Sequence, residues 1–175
     1  MNMMTKLFAA VALASASMSA HAVQADITVW ADVDPTLALL KADGTPLSDV
    51  VEMAYRAGAA GAGSTAGLVP FTEQVRVFSN DITKDITVRV GALPTLTPTM
   101  AGPTATPVPL AVSLNTVPLT VGGVDFTAAT LFPGAGTQPG ASISMPLTIA
   151  QATPGPIAIA GRYEGIVSII MAQKP

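Results

Sequence analysis

Over most of the chain apolar and polar residues alternate with a period of two, in short stretches ended by Gly, Pro, Asn or Asp. A strand needs that period to turn one face to a core and the other to water, so the pattern predicts about seven or eight half-buried strands in series. The clearest span residues 27–33, 51–55, 74–78, 86–90, 110–114, 143–149 and 163–171. Their inward sets are Ile27/Val29/Ala31/Val33, Val51/Met53/Tyr55, Val75/Val77, Ile86/Val88/Val90, Leu110/Val112/Leu114, Ile143/Met145/Leu147/Ile149 and Tyr163/Gly165/Val167/Ile169/Met171. Such a series fits an all-β, two-sheet sandwich.

Two stretches resist a strand reading. Residues 57–67 are almost all Ala and Gly, and residues 93–109 carry prolines at 94, 98, 103, 107 and 109, each of which removes a ladder donor. Both are expected as exposed loops of one domain, with no internal repeat. The 15 Gly and 15 Pro among 175 residues leave little room for long amphipathic helices.

Residues 1–22 read as a cleaved signal peptide rather than a buried N-terminal helix: Lys6 supplies the positive start, residues 7–14 the short apolar core, and Ala20-His21-Ala22 the small-x-small cleavage site before Val23. Beyond it no apolar run reaches the roughly 18 residues of a spanning helix, despite a mean hydropathy of +0.54. Removing 22 residues from 175 leaves 153, with 7 basic and 11 acidic side chains, a net charge of −4. No basic stripe for nucleic acid or anionic lipid survives.

Cleavage also discards His21, the one histidine, and there is no cysteine. Ser-His-Asp and Cys-His catalysis, thiolate chemistry, the usual zinc ligand sets and a disulfide framework therefore cannot be built, and no cofactor or metal is expected. Three remaining candidates each have a plainer explanation. Gly61-Ala62-Gly63 lacks the Lys-Ser/Thr of a phosphate loop and reads as a turn. Asp32 and Asp34, with Asp26 at the far end of the same segment, read as solvent-facing strand-end residues rather than a carboxylate pair. Trp30, the one tryptophan, fits a subunit seam better than a sugar platform.

The two ends of the mature chain carry more information. Residues 27–33 alternate cleanly and are joined to the next segment by Asp34-Pro35 rather than by a hairpin turn, so this strand can leave its own domain. Residues 165–171 form another apolar strand four residues before the sequence given stops, which is an edge hazard unless something covers it.

At these residues the sequence resembles the CFA/I-type fimbrial major subunits, the alpha (class 5) group of chaperone-usher pilins that includes the cable pilins. The resemblance lies in Ile27-Thr28-Val29, Val33-Asp34-Pro35, Leu39-Leu40-Lys41-Ala42-Asp43-Gly44, Ala54-Tyr55, Asn80-Asp81 with Lys84, and Gly161-Arg162-Tyr163-Glu164-Gly165-Ile166-Val167-Ser168 through Met171. It implies an incomplete immunoglobulin-like sandwich, residues 35–175, whose groove is filled by the N-terminal extension, residues 23–34, of the next subunit. By that resemblance Ile27, Val29, Ala31 and Val33 are the donor side chains and Asp34 and Pro35 the hinge. Tyr163, Gly165, Val167, Ile169 and Met171 form the acceptor strand that also meets the chaperone.

The partners so implied are other copies of the chain, a periplasmic chaperone, an outer-membrane usher, a minor tip adhesin and a host-cell receptor that the sequence does not identify, with passage through the periplasm to a surface fimbria used in adhesion. The chain departs from these relatives mainly at residues 57–67 and 93–109. The alternative is a monomeric exported β-sandwich that binds carbohydrate; an enzyme is not expected.

Overall fold

The computed structural model describes residues 36–58, 66–134 and 138–175. These fold into strands β1 (Leu37–Lys41), β2 (Tyr55–Arg56), β3 (Gly67–Leu68), β4 (Phe71–Ser79), β5 (Ile86–Val90), β6 (Thr95–Ala101), β7 (Val108–Leu114), β8 (Val117–Pro118), β9 (Val124–Phe126), β10 (Met145–Gln151), β11 (Gly161–Glu164) and β12 (Ile169–Gln173). The single helical turn α1 (Ala128–Leu131) begins at Thr127, whose hydroxyl accepts from the Thr130 amide, and Asp85 takes the Ala128 amide at 2.8 Å. The larger sheet runs β1-β4-β10-β7-β6-β11, with β8 on β7; the smaller runs β12-β5-β9, and β2 pairs β3 in a separate ribbon. Every pair is antiparallel.

The period-two residues build the core between the sheets. Val75 and Val77 of β4, Ile86, Val88 and Val90 of β5, Leu114 of β7 and Met145 of β10 are at most 1% exposed, and Val112, Leu147 and Phe126 join them. At roughly 1.5–3 kcal/mol for each large aliphatic side chain removed from water, this cluster is the main source of stability in a chain without disulfides.

The strands expected over 74–78, 86–90 and 110–114 lie within β4, β5 and β7 with the inward faces anticipated. Four expectations change. Of 51–55 only Tyr55 enters a strand, and it is exposed rather than inward; Val51 and Met53 are half-buried outside any ladder, because apolar alternation alone does not make one. The 143–149 strand starts at Met145, because Ile143 gives its amide to the Leu131 carbonyl of α1 and turns outward.

The proline-rich stretch 93–109 contains β6 and the start of β7 rather than a loop. Thr95 and Leu96 pair with β7 while residues 97–101 pair with β11. Pro98 therefore meets a partner strand on one side only, next to the β-bulge between Arg162 and Tyr163, where a missing amide does no harm.

The fourth change is at 163–171, where one expected strand is two. β11 closes the edge of the larger sheet, residues 165–168 cross over, and β12 begins the smaller sheet. The crossing depends on Gly165, where an added Cβ would lie 2.2 Å from the Thr95 carbonyl oxygen. Gly165→Val should therefore force the two backbones apart and cost about 1–3 kcal/mol. The expected fall in melting temperature is about 3–10 °C for a domain of this size. An unchanged melting curve would show that the crossing has slack.

Candidate functional site

The larger sheet ends at β1 and the smaller at β12, and among the described residues each of these strands pairs on one side only, β1 with β4 and β12 with β5. The two edges come close to one another where the two sheets meet. Leu37 and Leu39 of β1 pack on the core from one side. Val167, just before β12, and Ile169 and Met171 within it do so from the other side. All five pack on the core yet stay half-buried, whereas the residues paired with Leu39, Ile169 and Met171, namely Val77, Val90 and Val88, are at most 1% exposed. The contrast defines the apolar trough: two rows of half-buried side chains between strand edges that are unpaired among the described residues.

β12 is held rigidly at its far end. The Gln173 side-chain Nε2 donates to Ser79 Oγ at 2.6 Å and to the Asp81 carbonyl at 3.1 Å, and the Lys174 backbone amide donates to the Asp85 carbonyl at 2.9 Å. The Lys174 ammonium pairs with Asp125, which also accepts from the Thr87 hydroxyl at 2.6 Å. Those two donors, Lys174 first and then Thr87, hold the Asp125 carboxyl below its ordinary range. Asp81 is likewise lowered, by the Thr83 hydroxyl and amide. Beside it, Asn80 Oδ1 accepts from the Thr36 amide at 3.0 Å and fixes where the chain enters β1. An edge strand pinned in this way is already in the conformation that a further strand would pair with.

Of the acceptor residues expected from sequence, Val167, Ile169 and Met171 lie together in the trough. Tyr163 does not: it sits on β11 opposite Pro98, its hydroxyl bonded to the Ile159 carbonyl at 2.8 Å. Gly165 lies in the crossing and is exposed. Ile27, Val29, Ala31, Val33, Asp34 and Pro35 lie outside the described residues, as do Asp26, Trp30, Asp32 and Gly61-Ala62-Gly63. Sequence reasoning missed β1: its signal, Leu37 and Leu39, is a single alternation directly after Pro35. It also missed the Ser79–Gln173 anchor, which joins residues 94 apart. Among the described residues no group of three or more His, Cys, Asp or Glu could hold a metal ion.

A β-sandwich with two apolar edges, unpaired among the described residues, beside a common trough is an incomplete immunoglobulin-like domain of the pilin type. The model of the CS1 type fimbrial major subunit matches residues 23–172, so the chain belongs to that family. It is 34% identical over 157 residues to a CFA/I fimbrial subunit of Escherichia coli O78:H11, covering 89% of this chain and 88% of that one. It is 32% identical over 174 residues to a CS1 fimbrial subunit of Escherichia coli, covering 97% of each. In structure it is similar to the CooA pilin of enterotoxigenic Escherichia coli, with a TM-score of 0.62 at 29% identity over 79% of this chain and 87% of the other. The chain is thus a structural subunit of a surface fimbria that polymerises with copies of itself; the carbohydrate-binding alternative is not favoured.

Proposed function

We propose that this chain is the major subunit of a chaperone-usher fimbria used in adhesion, and that its trough is the acceptor for the N-terminal extension of the next subunit. The observation that carries the reading is the pair of half-buried rows Leu37/Leu39 and Val167/Ile169/Met171 between two edges that are unpaired among the described residues. Ile27, Val29, Ala31 and Val33 of a neighbour supply the alternating apolar face that such a trough takes, and the backbone of the same segment satisfies the edge of β12. Asp34 and Pro35 form the hinge where the extension leaves its own sandwich.

In the periplasm a chaperone covers the same edge until the usher exchanges it for a donor, and a minor adhesin occupies the tip. Donor and acceptor are unlike surfaces, so the contact is head-to-tail and does not close on itself; a filament results. The role is structural, without catalysis or cofactor.

Export requires that residues 1–22 be removed, and the family match begins at Val23, the first residue after the expected cleavage site. Mass spectrometry of material sheared from the cell surface should give a 153-residue chain starting at Val23. Filament protein that retains Met1 would overturn this reading, because a tethered extension could not enter a neighbour.

A further inference from the structure

Resting on that reading, we infer a second subunit–subunit contact: exposed Ile166, with Leu93 near it, seats in a hollow at the opposite end of the adjacent subunit. Ile166 is 84% and Leu93 78% exposed, the one next to Val167 and the other two residues before Thr95, against which Gly165 packs. Both therefore stand at the end of the trough where Val167 lies. The opposite end carries the start of β1, Ser79 and Gln173, and beside them is a shallow hollow of about 470 Å³ whose walls include Thr36, Ala38, Phe78, Ile82, Pro139 and Gly140. Gly140 shapes one wall: its φ is +75°, and a Cβ there would meet the Ser79 carbonyl oxygen at 2.5 Å.

The geometry of a donor strand brings these two features together. Every strand pair of the domain is antiparallel, and a donor antiparallel to β12 runs from the Gln173 end towards the Val167 end. Its Val33 then leaves the trough beside Ile166. Only Asp34 and Pro35 separate Val33 from Thr36, three Cα steps of at most about 11 Å in all. Thr36 lines the hollow, so the hollow of the donating subunit comes to lie against Ile166 of the accepting one. An isoleucine this exposed at the mouth of an assembly groove is covered there by a second copy of the chain, and the contact fixes the rotation of one subunit on the next.

The sequence contains no cysteine, which makes the test clean. Filaments are assembled from the Ile82→Cys/Ile166→Cys double variant, oxidised, and heated in detergent without reductant. The expected result is a reducible ladder of covalent multimers, with no ladder from either single variant. Filaments whose two cysteines react with maleimide yet give no ladder would overturn the contact and leave the donor-strand reading standing. The second variant, Ile166→Asp, should give filaments several-fold shorter than wild type while the subunit's own melting temperature is unchanged. Filaments of normal length from this variant overturn the proposal whatever the cysteines do. Should Val29→Asp subunits polymerise normally, the donor-strand reading fails instead.

Discussion

Cells whose only subunit gene carries Val29→Asp should display no filaments. Val29 sits mid-way along the alternating segment 27–33, so in a neighbour's trough its side chain would press between the rows Leu37/Leu39 and Ile169/Met171. A carboxylate there would lie among aliphatic side chains, and Lys41 at the end of β1 and Lys174 directly after β12 are already paired with Glu73 and Asp125. Placing an unpaired charge among aliphatic side chains costs about 4 kcal/mol or more, at least a thousandfold in the exchange equilibrium. The residues that form the core of the sandwich are untouched, so the variant should accumulate in the periplasm as a folded, chaperone-bound monomer. Immunoblotting of periplasmic and sheared fractions, with negative-stain microscopy, reads the outcome. Normal filaments would show that 27–33 is not the donor.

Much of the core is legible in the sequence alone. Val75/Val77, Ile86/Val88/Val90 and Leu110/Val112/Leu114 each lie inward on one face of one strand, because burying a single face makes the alternation unambiguous. The inward alternation of Val167, Ile169 and Met171 is legible for the same reason. Illegible are features set by distant partners. Pro98 argues against a strand until it is seen that β6 changes neighbours at Thr97 and meets a bulge. In the sequence Gly165 reads as one more position of a long final strand, and only the approach of Thr95 reveals it as the crossing between sheets. β1 is too short for its alternation to stand out, and its place near β12 depends on topology rather than on local sequence. Most of the site is therefore a property of two edges brought together, not of a motif.

The central claim is that the described sandwich lacks a strand which residues 23–33 supply. It is tested most directly by comparing three forms: the mature subunit, the subunit without residues 23–33, and the truncated subunit with that segment appended after Pro175 through a flexible linker. In the appended form the donor is intramolecular, and its effective concentration, of millimolar order for a short linker, outcompetes other subunits. Burial of Ile27, Val29 and Val33 at roughly 1.5–3 kcal/mol each, together with new ladder hydrogen bonds at about 1 kcal/mol net each, should raise its melting temperature by at least about 10 °C over the truncated form. It should be a monomer by light scattering, while the mature subunit self-polymerises or aggregates. A truncated form that melts as a cooperative monomer, as stable as the appended one, would show that the domain is complete without the segment and would contradict donor-strand assembly.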